Sequence, residues 1–471
     1  MLRVIQSPLS DAGDLCRMSA DALSQAYANK SISPVDVVQK TLARCVEAQQ
    51  KFNAFTHIAH EEALTQARAS QARWQAGTPL SRYDGVPATV KDIVTVDGWA
   101  VRYGSDLTPI DPCTQDAPSV ARMRAAGLVF LGLTTTPEFG WKAVTDSPGG
   151  GITRNPWDAA LTPGGSSGGA AAAAAVGAGV FHLGTDGGGS IRIPAAFTGI
   201  SGLKPTFGRV AAFPASPFGT VAHIGPMCRS PRDVEAMLSL MAGRDLADWF
   251  QGGAELPDLQ PQTLTPKGKK IGVWRTPPCG HTAPEIARQF DQNLADLVEA
   301  GAELIEFDLP MRDQLHDIFN WHWTSGARRR LDMLGDVDLD RLDPGLLQMA
   351  EAARGWSVSD YIARIAQRAS FGSAMNRAMA QMDFLVSPSV SILPFDAGQE
   401  VPSGSGMSRW TEWAGFSYPI NLSQQPAMSV PGGPGKAGLP HALQIIGALG
   451  ADSQVLALAK WWQDRHPDYF L

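Results

Sequence analysis

The sequence predicts an α/β protein, and three observations carry that reading. From Gly85 onward, short β-branched runs alternate with helical patterns, the texture of a sheet with helices packed on it. The 471 residues are 44% hydrophobic and 18% charged, which is the balance of a globular chain with a large core and not of a disordered or collagen-like one, despite 48 Gly and 34 Pro. No internal repeat or heptad array overrides the alternation. A chain this long forms either two domains or one large α/β unit with insertions.

Residues 14–76 read as helices. Ser33 is an N-cap followed by Pro34 in the first helical turn, opening a helix over 35–50. These helices are expected outside the catalytic sheet. In the next segment, 85–240, Thr89 with Val90 and the run 93–96 read as strands, 120–126 as a helix and 128–133 as a buried strand. A charged passage over 245–270 leads to a strand at 271–274, a helix at 284–300 and another strand at 303–307. Because helix and strand follow at once, that passage reads as an excursion, and the expected organisation is a single domain over 1–471. Residues 312–382 form a helical excursion. The remainder, 383–471, carries strands at 384–387 and 442–446 and a lid loop over 399–416.

A net charge of -7 argues against a nucleic-acid footprint, which needs a basic domain or stripe. The basic clusters Arg328-Arg329-Arg330 and 267–270 are short and read as solvated helix ends or loops. Five widely spaced cysteines without a C-x-x-C pair predict neither a disulfide framework nor a zinc site, so a reducing compartment is expected. The first residues lack a signal-peptide pattern, and no stretch approaches the roughly 18 apolar residues of a membrane span. A cytoplasmic protein with no membrane partner, monomeric or homodimeric, is expected.

The glycines cluster where chemistry is expected. Gly164-Gly165-Ser166-Ser167-Gly168-Gly169 precedes an alanine-rich helix at 170–176, and Gly184-Thr185-Asp186-Gly187-Gly188-Gly189-Ser190-Ile191-Arg192 follows it. A short helix–strand unit brings both serine-bearing turns to one edge of a sheet. Hydrolysing an amide needs a nucleophile, a base, an acid for the departing nitrogen and donors for the developing oxyanion. Consecutive backbone N–H groups over 187–190 form a nest for the last, with Ser190 beside them as nucleophile. Neither a Walker A nor a dinucleotide fingerprint is in register, so phosphate binding is not expected. None of the nine histidines accompanies a G-x-S-x-G elbow. Lysine is the other base available if burial lowers its pKa, and Lys91 ends the apolar run 86–90.

The segments 85–92, 164–169 and 184–192, in this order and at these intervals, together resemble the amidase signature family. The resemblance extends over most of the chain, through 136–140, 154–157, 203–206, 421–423 and Gln444. It implies a mixed central β-sheet covered by helices on both faces and roles for individual residues. Ser190 matches the acylated nucleophile, Ser166 the serine that follows a cis peptide bond, and Lys91 the base exchanging protons through Ser166. Gly187, Gly188, Gly189 and Ser190 match the oxyanion donors, and Ser167, Asp186 and Arg192 match supporting positions. No metal or organic cofactor is implied.

For the pocket, the resemblance points to Gly140 and Trp141, and a tryptophan there favours an apolar or aromatic acyl or carbamoyl group. Gln399 and the Arg209 loop, with Met407, Trp410, Trp413 and Phe416 as a roof, look similar to amidase-signature urethanases that cleave aromatic carbamates. The expected activity is therefore hydrolysis of aryl amides and carbamates. Two alternatives stand beside it: the glutaminase subunit of a tRNA-dependent amidotransferase, and a non-catalytic interaction protein on the same fold.

Overall fold

A computed structural model describes residues 14–252, 255–435 and 438–471. Its strands, in chain order, begin with β1 (Phe55–Ile58), β2 (Pro87–Lys91) and β3 (Val129–Thr134). A small ribbon follows, β4 (Asp146–Ser147) and β5 (Gly151–Ile152). Then come β6 (Phe181–Asp186), β7 (Ser201–Lys204) and β8 (His223–Cys228). The last five are β9 (Lys270–Val273), β10 (Glu303–Glu306), β11 (Phe384–Pro388), β12 (Ala427–Pro434) and β13 (Pro440–Ile446).

Apart from the ribbon, these strands form one sheet in the order β1-β3-β2-β6-β8-β7-β12-β13-β11-β9-β10. The sheet is mixed. β2 lies parallel to both β3 and β6, β8 is antiparallel to β6, and β9 is parallel to β10 and β11. The strands beyond the charged passage thus join the sheet that carries β2 and β6.

Helices cover both faces, as the pleat of β3 shows. Val129 and Leu131 pack with the helices Pro34–Phe52 and Gly168–Ala175. Phe130, pointing the other way, packs with the helices Pro118–Ala125 and Pro231–Met241. A separate aromatic core joins the helices Arg312–Asp332, Pro344–Ala352 and Val358–Met379 to the catalytic edge. Ser33 caps its helix by accepting from Asp36 N, with Pro34 in the first turn.

Two sequence expectations change here. Residues 14–76 are not all helical, because β1 pairs antiparallel with β3; only Phe55 of its four residues is buried, which leaves too short a pattern to read. The run 93–96 is not a strand. Ile93 N and Val94 N both turn back to Lys91 O, at 2.7 and 3.0 Å, so these apolar residues line a cavity and not a ladder.

Candidate active site

Adjacent parallel strands deliver their carboxyl ends to the same edge. Val90 of β2 lies beside Leu183 of β6, so Lys91 and the pair Thr185-Asp186 emerge together. The Gly168–Ala175 helix begins at that edge and is stitched to it. Ser167 N donates to Ser190 O at 3.1 Å, while Ser167 Oγ donates to Thr185 O at 3.2 Å and accepts from Thr185 N at 3.3 Å. Close approach demands glycine here: a Cβ on Gly165 would stand 2.5 Å from the Val144 backbone, and one on Gly168 2.3 Å from Thr145 Oγ1. The Gly165–Ser166 peptide is cis.

Lys91 is fully buried. Its Nζ donates to Ser166 Oγ at 2.6 Å and to Thr185 Oγ1 at 3.0 Å. Burial pushes its pKa well below the usual lysine range, against the opposing pull of Asp186. Burial that disfavours the charged ammonium, 2.6 Å from a serine hydroxyl, is the arrangement a proton acceptor needs. Among the described residues no histidine hydrogen-bonds either Ser166 or Ser190; His223, nearby in the cavity wall, spends Nδ1 on Val221 O at 2.8 Å.

The loop after β6 is shaped by Asp186. Its Oδ1 accepts from Gly189 N at 2.8 Å, Asn421 Nδ2 at 2.8 Å and Arg192 Nη2 at 2.9 Å, and its Oδ2 from Arg192 Nε at 3.0 Å. Burial alone would raise this carboxyl's pKa, but the Arg192 charge and these hydrogen bonds hold it below the usual range. Arg192 is equally committed, donating also to Ser417 O, Gln444 Oε1 and Asn421 Oδ1 at 3.0, 2.8 and 2.6 Å. Both residues lock the loop and neither faces the cavity.

One of the four expected oxyanion donors is lost in this arrangement. Gly189 N–H is consumed by Asp186, whereas the N–H groups of Gly187, Gly188 and Ser190 have no hydrogen-bond partner among the described residues. Gly189 is glycine for its backbone, with φ of 128°. Gly188 is glycine because a Cβ would meet Phe319 and Trp410 at 2.7 and 2.8 Å.

Ser166, Ser190, Gly187 and Gly140 line a cavity of about 180 Å³. Its remaining wall is mostly apolar, with Tyr103, Phe139, Phe207, Phe213, Phe218 and Trp323 the large contributors. Three expected pocket residues are not in that wall. Trp141 is 0% exposed, its ring packed by Gly345 and flanked by Lys142 and Arg409; its carbonyl accepts from Trp323 Nε1 at 2.7 Å, so it props the tryptophan that does reach the cavity. Arg209 turns away to Asp452 Oδ2, at 3.0 Å, and to Pro257 O, while its neighbours Gly208 and Val210 line the space. Gln399 is exposed and outside the wall.

The expected lid also changes role. Trp410, Trp413 and Phe416 are buried: Trp410 packs behind the glycine loop, Trp413 against Phe197 and Phe395, and Phe416 against Trp274. Most of 205–219, with Phe250, lines the cavity instead. A readable signal existed for it: Phe207, Phe213 and Phe218 interleave with Pro205, Pro214 and Pro217 directly after β7. Arg330, read as part of a solvated helix end, lies in the cavity wall.

Comparison with known proteins settles the family. The family model described as Amidase matches residues 36–456. The chain belongs to the amidase signature family. This amidase is 31% identical over 463 residues to an acylamidase of Rhodococcus erythropolis, covering 96% of this chain and 97% of the relative. It is also 31% identical to a glutamyl-tRNA(Gln) amidotransferase subunit of Rhodopirellula baltica, over 94% of this chain and 96% of the relative. Among solved structures, a bacterial aryl acylamidase of the amidase signature family superposes with a TM-score of 0.87 at 28% identity, covering 96% of this chain and 97% of the other. The amidase is thus a hydrolase of amide C–N bonds on the family's mixed α/β fold. Among the described residues no helix is long and apolar enough to cross a membrane.

Proposed function

We propose that this amidase hydrolyses aryl amides and aryl carbamates through an acyl- or carbamoyl-serine on Ser190. The observation that carries this reading is the pairing of a buried, neutral-leaning Lys91 on Ser166 with an aromatic cavity onto which Ser166 and Ser190 both open.

Ser190 Oγ attacks the carbonyl carbon, and its proton passes to Ser166 Oγ as the Ser166 proton moves to Lys91 Nζ. Gly187, Gly188 and Ser190 N–H groups hold the oxyanion. The relay then runs backward and protonates the leaving group. Water attacks the acyl-enzyme with the same relay as base, releasing the acid and restoring Ser190. A carbamate follows these steps and, with one water consumed, yields amine, alcohol and CO2. Asp186, Arg192 and Ser167 position the loop.

Identity at the same level to the amidotransferase protein makes glutamine the rival substrate. The cavity wall supports the aryl reading. Asp248 is the one acid in it among the described residues, and its carboxylate already accepts from Ala212 N and Phe250 N at 2.8 and 2.9 Å. It is poorly placed to serve the ammonium of a free amino acid. Turnover of an aryl amide, an aryl carbamate, a short ester and glutamine measured side by side tests this. The two aryl substrates are expected to lead; hydrolysis of glutamine alone would reverse the assignment.

A further inference from the structure

We propose that Arg330 makes the aromatic cavity selective for substrates that carry a carboxylate remote from the scissile bond, a specificity that rests on the aryl-amide reading above. The three arginines of the basic cluster have different fates. Arg328 is paired with Asp332 and Glu351, and Arg329 is exposed. Arg330 alone lines the cavity, and no acid among the described residues stands within ion-pair distance of it. Its Nε is buried without a hydrogen-bond partner.

Two rings hold the guanidinium in place. Its Cζ lies 4.4 Å from the centroid of Tyr103 and 4.6 Å from that of Phe139, contacts that favour a cation but leave the buried Nε–H donor unused. The acids nearby in sequence or space are spoken for. Asp332 serves Arg328, Asp106 faces Arg102, and Glu138 accepts from Ser105 Oγ and Asp343 N. A planar fork of donors in a largely apolar wall matches a carboxylate better than any neutral group.

Geometry sets where that carboxylate sits on the substrate. Trp323 covers the glycine loop, close enough that a Cβ on Gly187 would stand 2.8 Å from its ring. Arg330 follows two helical turns later on the same face of the Arg312–Asp332 helix, roughly 10 Å along the axis. The spacing fits an aryl or arylalkyl body between the scissile carbonyl and the anion. An acid on the acyl side or on the leaving amine satisfies it, and the two are separable by experiment.

The test uses matched substrate pairs: the 4-nitroanilide of 4-carboxyphenylacetic acid against its methyl ester, and 4-acetamidobenzoate against 4-acetamidotoluene. In Arg330→Met, the kcat/KM ratio of the carboxylated to the neutral member of at least one pair should fall about 30-fold, the range of a lost charged hydrogen bond. Arg330→Lys should recover part of the loss. An unchanged ratio in both pairs, whether from equal loss or from no loss, overturns the inference. Calorimetric binding of 4-phenylbutyrate and of 4-phenylbutanol separates this from failure of the hydrolytic reading. If no aryl substrate turns over yet the acid binds in an Arg330-dependent way, the anion site stands and the hydrolysis falls. If aryl substrates turn over and neither binding nor kcat/KM depends on Arg330, the reverse holds.

Discussion

The polar sheet edge and the aromatic wall of the cavity are held by different physics. At the sheet edge the buried polar side chains are held by directional partners, from Lys91 on Ser166 to Asp186 on Arg192. In the aromatic wall the large residues are held chiefly by stacking: Phe218 on Trp323 at 4.1 Å and Trp323 on Phe319 at 5.3 Å between centroids. Directional contacts fail all at once when one member is lost, whereas stacked area fails by degrees. The contrast predicts that substitutions at the polar edge remove catalysis or the fold, and that those in the aromatic wall grade the choice of substrate.

The largest effect is expected at Ser190. Ser190→Ala should lower kcat by more than about 10⁴-fold with unchanged thermal unfolding, and should form no acyl adduct by mass spectrometry. Substantial residual turnover would break the comparison at its root. Lys91→Met should lower kcat about 10²–10⁴-fold at neutral pH. In the wild type, activity should rise with pH through the depressed Lys91 pKa. Stability carries the same sign. The unfolded chain holds the Lys91 proton more tightly than the folded one, so stability grows with pH from the folded to the unfolded pKa. Lys91→Met should therefore unfold no more easily than wild type near neutrality, which a denaturant titration measures.

Arg192→Met strands the Asp186 carboxylate and should destabilise by about 3–5 kcal/mol, read as a shift in the urea midpoint. Asp186 contributes in the opposite pH sense from Lys91. Its folded pKa is depressed, so its stabilisation is present above the ordinary carboxylate pKa and is lost as pH falls through the folded one. Phe218→Ala, in the aromatic wall, should raise KM for aryl substrates about tenfold and leave a small aliphatic amide nearly unchanged. A uniform loss across both would mean that the wall is structural. Gln399→Ala should stay within about twofold on every substrate, since that side chain is exposed and outside the wall; a larger change would put it in contact with substrate.

Legibility follows the same divide. The α/β alternation, the Ser33–Pro34 helix start and the strands at 128–133, 271–274 and 303–307 are readable because each is a local pattern of at least four residues or a capping pair. Ser166 and Ser190 stand out because a glycine-dense turn has a steric reason to be glycine and two such turns flank one helix–strand unit, Lys91 because it ends an apolar run, and their proposed roles come from the resemblance to the family. The oxyanion set reads one donor too wide in the sequence: which N–H stays free depends on where the Asp186 carboxylate points. Trp141 and Trp323 look alike as letters, and only packing decides that the first is walled in and the second exposed to the cavity.

What the sequence determined by itself is the set of residues proposed for the chemistry, since Lys91 ends one strand, Ser190 follows the strand beside it and Ser166 lies just before the helix leading into that second strand. Tertiary structure alone decided the pocket. Its wall is gathered from 93–95, from 205–219 and from the Arg312–Asp332 helix, segments far apart in the chain. Whether a given aromatic or arginine faces the substrate depends on the rotation and burial of elements that touch only after folding.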